Sequence, residues 1–184
     1  MKVVNSREEY LKQLSLESGI GYCSFAELGV YHGDFSEMIL KTIKPSWLCL
    51  VDPYKNGVEK YNNGLSTQYS TDEDYDKLIK RFPKEILKGQ ISVYKMPSYN
   101  AVSCFPDLYF DFIYHDASHL KEDVKRDLWE WLPKLKLDGV MCGHDMIEHE
   151  DFGVIDAVED FCNQFGFKIF LYNKNGGDYA LKRI

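Results

Sequence analysis

The chain has 184 residues, 45% of them hydrophobic, with 29 acidic against 22 basic side chains and a formal net charge of −7. A chain of this length can bury roughly 70% of its unfolded surface, so one domain over residues 1–184 is expected. Scattered charges and the lack of a Pro-, Ser- or Gln-rich tract exclude a disordered chain, the acidic balance argues against nucleic acid, and no apolar run reaches the ~18–20 residues of a membrane span. The N-terminus, MKVVNSREEY, turns charged before a signal-peptide core can form. Five cysteines without a CxxC pair (Cys23, Cys49, Cys104, Cys142, Cys162) read as buried free thiols. Both features point to the cytoplasm.

The pattern alternates strand with helix, as in a parallel sheet covered by helices. Residues 1–20 are expected to hold an N-terminal helix, over about Ser6 to Glu17, with Tyr10, Leu11 and Leu14 on one face. The core, 21–184, opens with a buried strand at Tyr22 to Leu28 and a helix from Asp34 that Pro45 stops. A second strand, WLCLV, ends at Asp52-Pro53. Tyr54 to Ser70, with Tyr54, Tyr61 and Tyr69, is polar, aromatic and without period, which predicts a long loop, either a lid or substrate wall or a disordered surface excursion. A helix over Thr71 to Leu87 follows, kinked or shortened at Pro83. Ile91 to Tyr94 and Phe110 to His115 predict strands three and four. The next helix buries Leu120, Val124, Leu128 and Trp131, with Ser118 as its N-cap. Asp138-Gly139 turns into strand five, Val140 to Gly143. A helix at Val154 to Gln164 precedes two strands, Lys168 to Tyr172 and Asp178 to Lys182, whose short connection makes them antiparallel. In such doubly wound sheets ligands bind beyond the carboxyl ends of the strands.

Chemistry-bearing residues gather at those ends. After strand one come Glu27, Gly29, Gly33 and Asp34; the glycines allow close backbone approach to a ligand, or serve only the turn. Val30 and Tyr31 fill the inner positions of what would otherwise be a dinucleotide GxGxxG. Asp52, 25 residues beyond Glu27, can accept both hydroxyls of a ribose, or act as a capping acid. Strand four ends in His115-Asp116-Ala-Ser-His119 and strand five in Gly143-His144-Asp145, with His149 on the loop beyond. Adjacent parallel strands lie ~4.8 Å apart, so Asp116 and Asp145 can share one hard cation. His119 can enter the same pocket and accept a proton near neutral pH. Alternation points His115 away from Asp116, toward a hydrogen-bonded position in the fold.

Taken together, Glu27-x-Gly29-x-x-x-Gly33 and Asp52 resemble the class I S-adenosylmethionine-dependent methyltransferases. Within them, the segment from Tyr114 to Met146 is very similar to the macrocin-type O-methyltransferases and cephalosporin-hydroxylase-type proteins. The resemblance implies a Rossmann-like α/β doubly wound sheet of seven strands, order 3-2-1-4-5-7-6, with the last strand antiparallel. It implies that Glu27, Gly29 and Gly33 hold the methionine end of the cofactor, supported by Ser36. Asp52 would bind the ribose, Tyr54 would lie beside the adenosine, and Met96 and Ser98 would border the adenine. Asp116 would adjoin the cofactor and, with Asp145, act as a metal ligand; His119 would be the general base. Related metal-dependent enzymes add a carboxylate or amide beside the second aspartate, where this chain offers His144 and Met146.

The expected activity is methyl transfer to a small-molecule hydroxyl, a sugar or polyol, with Mg²⁺ or another divalent cation as an optional helper. A binding protein without transferase activity and a metal-dependent oxygenase are the alternatives. No nucleic-acid or membrane partner is expected, and a homo-oligomer is left open.

Overall fold

The computed structural model describes residues 1–21, 23–55, 58–60, 66–68, 70–150 and 152–184. In chain order the elements are β1 (Lys2–Val4), α1 (Arg7–Ser18), β2 (Ser24–Leu28), α2 (Asp34–Thr42), β3 (Trp47–Asp52), β4 (Val58–Lys60) and β5 (Ser66–Gln68). They continue as α3 (Asp72–Arg81), α4 (Pro83–Leu87), β6 (Ile91–Lys95), α5 (Ser98–Ala101), β7 (Phe110–His115), α6 (Lys121–Trp131) and β8 (Leu135–Gly143). The last three are α7 (Val154–Phe165), β9 (Phe167–Asn173) and β10 (Tyr179–Arg183).

Eight strands form the main sheet in the order β1-β9-β10-β8-β7-β2-β3-β6. Its seven core strands follow the expected order, and β10 runs antiparallel to both β8 and β9. The expected count of seven is corrected by β1, whose three residues pair in parallel with Leu171, Tyr172 and Asn173. Alternation along the strands divides the core into two layers. Phe25, Phe112 and Tyr114 pack with Tyr10, Leu11 and Leu14 of α1, whereas Ala26, Leu28 and Ile113 pack with Val124, Leu128 and Trp131 of α6.

Several local expectations change. The long loop contains a two-stranded ribbon, β4 against β5; Tyr61 and Tyr69 lie outside the described residues. The single helix over 71–87 is two, because Pro83 starts a helix of its own after Phe82. Thr71 and Asp74 form a capping box at the start of α3. Ser118 does not cap α6: Leu120 holds that position, while the Ser118 hydroxyl donates to Asp123 at 2.8 Å. The Asp138-Gly139 turn is absorbed into β8 as a register shift against β7, where Phe110 faces Leu135 and Phe112 faces Val140. Cys23, Cys49 and Cys142 are buried, but Cys104 is exposed and Cys162 only half-buried. No helix among the described residues is long and apolar enough to cross a membrane.

Candidate functional site

A cleft of about 680 Å³ opens at the carboxyl ends of β2, β3 and β7, a size typical of small-molecule sites. Glu27, Gly29, Asp52, Ser98, Asp116 and His119 line it. Gly33, Ser36, Tyr54, Met96, His144 and Asp145 stand outside that lining, each for a reason visible in its contacts.

The β2–α2 turn makes the first wall. Gly29 has φ +88°, and a Cβ there would sit 2.0 Å from the backbone oxygen of Asp116. Glycine is therefore required by contact between two strand ends, in addition to any ligand. Gly33 (φ +82°) faces the other way, where a Cβ would meet Leu78 and Phe82; it seats α2 against α3. Glu27 is buried at the end of its strand, and burial pushes its carboxyl up to about 8, although the Ser36 hydroxyl favours ionisation. That hydroxyl donates to Glu27 at 2.6 Å, so Ser36 acts through Glu27.

Asp52 ties this turn to the next strand. Its Oδ2 accepts the backbone N–H of Val30 at 2.9 Å and of Tyr31 at 3.0 Å. Its Oδ1 accepts Tyr54 N–H at 3.1 Å and the Ser70 hydroxyl. Tyr31 and Tyr54 both adopt positive φ, 53° and 42°, which is strained for bulky side chains. Tyr54 is buried, with its hydroxyl donating to Tyr31 O at 2.8 Å, so it braces the turn from behind. Met96 packs against the α6-side core. Ser98 reaches the cleft and donates to Asp127 at 2.7 Å.

The far end is built on β7 and β8. Tyr114 and Asp116 share one face, and both meet Arg7 from α1: Nη2 lies 3.1 Å from Tyr114 Oη and from Asp116 Oδ2. Arg7 Nε donates to Asp178 Oδ1 at 3.0 Å, and the guanidinium stacks 4.4 Å over Phe35. His115 faces α6, as alternation requires, with Nε2 3.2 Å from buried Asp127 but out of line for a hydrogen bond.

At the end of β8, Asp145 turns at φ 57°, a conformation aspartate tolerates. Its Oδ2 meets His119 Nε2 at 2.8 Å and His144 Nδ1 at 2.9 Å. The turn is pinned by Met146 N–H donating to Gly177 O and by Tyr172 Oη donating to Met146 O. Burial opposes ionisation of Asp145, but hydrogen bonds from His119 and His144 outweigh it and hold the carboxyl well below its ordinary range. Burial likewise opposes charging His144, yet Asp116 and Asp145 lift it to about 9. His149 stacks on Phe152, as does His119.

One ligand atom each from Asp116, His144 and Asp145 falls within 4.8 Å of the others, so the expected cation trio does come together. Its donors, however, have partners of their own. Arg7 holds Asp116, while His119 and His144 share Asp145. That set does not fit a divalent ion.

Arg7, Asp127 and Asp178 were not foreseen. The available signal is positional: Arg7 lies on the 7-11-14 stripe of α1, and Asp127 on the 120-124-127-131 stripe of α6. A charge on an apolar stripe requires a partner in the interior.

A family profile described as "Methyltransferase domain" matches residues 26–146. No curated protein matches the chain. A SAM-dependent methyltransferase from Leishmania major is 12% identical, with a TM-score of 0.68 over 95% of this chain and 71% of its own. A Clostridium thermocellum protein assigned as an rRNA methylase is 10% identical, with a TM-score of 0.68 over 100% and 98%. A Staphylococcus aureus protein assigned as a caffeoyl-CoA O-methyltransferase is 14% identical, with a TM-score of 0.67 over 97% and 85%. At these identities the likeness concerns the fold.

Proposed function

The chain belongs to the class I S-adenosylmethionine-dependent methyltransferases, and on that premise we propose that it methylates a hydroxyl oxygen of a small molecule such as a sugar or polyol. The observation that carries this reading is the pair made by His119, which lines the cleft, and Asp145 behind it. Asp145 occupies Nε2 of His119, so a proton taken from a hydroxyl goes to Nδ1, and the carboxylate stabilises the imidazolium that results. Asp116-x-x-His119 and Gly143-His144-Asp145 also carry the resemblance to the macrocin-type branch, which supports an oxygen acceptor.

The residues suit the cofactor. Acidic groups at Asp52 and Asp116 favour a sulfonium, and a ribose hydroxyl can replace the Ser70 hydroxyl on Asp52 as one donor for another. Ser98 and Asp127 lie at the end left for the base. When bound, S-adenosylmethionine supplies an already activated methyl group, so the chain's task is to align the acceptor and remove its proton. The acidic lining, which continues through Asp34 and Asp123, disfavours a phosphate backbone and supports a small acceptor over nucleic acid.

Calorimetry with S-adenosylmethionine and S-adenosylhomocysteine, followed by detection of S-adenosylhomocysteine released over a panel of polyols and sugars, tests the proposal. Binding of both and turnover with a hydroxyl compound are expected. Folded protein that binds neither overturns it, and binding without turnover on any acceptor class favours the cofactor-binding alternative.

A further inference from the structure

The place expected for a divalent cation lies beside a cation that is part of the chain. We infer that Arg7 is the resident positive charge of the acceptor end and closes the Asp116–His144–Asp145 cluster to divalent metals.

Arg7 does not owe its position to Asp116. β1 fixes the chain just before it through pairing with β9, and Asn175 Nδ2 donates to Asn5 O at 2.7 Å. Ser6 then caps α1 by accepting from Glu9 N–H, so Arg7 enters the first turn in a set direction. Its Nε binds Asp178, which is fully buried, and its plane lies over Phe35. Only after those anchors does Nη2 reach Asp116.

A metal ligated by Asp116 therefore meets one of two obstacles. It sits next to a fixed guanidinium and is repelled, or it evicts Arg7 and strips a buried carboxylate of its only cationic partner among the described residues. With Nε and Nη2 engaged, Nη1 is the nitrogen left to offer N–H donors toward an oxygen in the cleft. There it orients an acceptor by hydrogen bonding and charge, as a bound cation would. This last role rests on the methyl-transfer reading; the exclusion of metal does not.

Electron paramagnetic resonance of Mn²⁺ alone with the full chain tests the inference. The wild type is expected to leave the free-ion signal undiminished at millimolar Mn²⁺. Arg7→Met combined with Asp178→Asn removes the guanidinium and its buried counter-charge together, and is expected to deplete that signal. Adding Asp145→Asn should restore it. Wild-type uptake of Mn²⁺ that Asp145→Asn abolishes overturns the inference, and so does a folded double variant that takes up none. If the double variant does not fold, Arg7→Gln, which keeps a donor toward Asp178, replaces it under the same two outcomes. Failure of the methyl-transfer reading shows separately, as wild-type protein that does not bind S-adenosylhomocysteine.

Discussion

Arg7 Nε donates to Asp178 Oδ1 at 3.0 Å across 171 positions of sequence, joining the first turn of α1 to the residue just before β10. Asp178 also accepts from Tyr114 Oη at 2.5 Å and from Asn173 Nδ2 at 2.7 Å. Breaking one side of a buried pair leaves the other charge uncompensated. Arg7→Met should cost about 3 kcal/mol in urea unfolding, the low end for such a break because two donors remain on Asp178. Adding Asp178→Asn should recover most of that loss. A double variant no more stable than Arg7→Met would show that the ion pair is not the source.

Gly29→Ala places a methyl 2.0 Å from Asp116 O and forces φ +88° on an L-residue. The expected loss is at least about 2 kcal/mol. Gly19 provides the control, since its φ is +67° but nothing lies within 4 Å; Gly19→Ala should cost about 1 kcal/mol. Equal losses for the two would locate the effect in φ alone.

Asp52→Ala removes the acceptor of three backbone N–H groups and the group assigned to the ribose. Affinity for S-adenosylhomocysteine should fall at least about tenfold, or ~1.4 kcal/mol. Calorimetry showing unchanged affinity would remove Asp52 from the nucleoside site.

Burial raises Glu27 from the ordinary carboxylate range to about 8 in the folded chain. The folded state therefore keeps a proton that the unfolded state loses as pH rises above about 4.5. Its contribution favours folding least at high pH: stability falls between about 4.5 and 8, by up to about 1.4 kcal/mol per pH unit. Glu27→Gln should flatten that part of a stability–pH curve. A slope identical to wild type would assign it to other groups.

His119→Ala and Asp145→Asn should lower turnover on an active hydroxyl acceptor by about 10²–10⁴ while leaving S-adenosylhomocysteine affinity unchanged. Loss confined to cofactor binding would place the pair in the wrong role.

Strands such as Trp47–Asp52 and Phe110–His115 are legible in the sequence because both faces are buried, which leaves continuous apolar runs between polar ends. Asp52, Asp116 and Asp145 are legible because they follow those runs directly. β1 is not, since three residues at a sheet edge carry no periodic signal. Its partner β9 is too far along the chain for local pattern to reveal. Arg7 was missed for the same reason: its partners are 107, 109 and 171 residues away. In sequence, a glycine in a turn looks alike whether it makes room for a ligand or, as Gly33 does, for Leu78 and Phe82. The ribbon of β4 and β5 has strands too short for alternation to stand out from a polar loop.

β1 leaves the ribosome well before its partner β9, with β2 to β8 made in between. While the chain is being made, β3, β6 and β7 each meet a neighbour already synthesised, so the centre of the sheet can assemble early. Arg7 has no buried carboxylate to meet until Asp178 emerges. The end of the cleft that holds Asp52 and Ser98 is thus complete well before the end that holds Arg7.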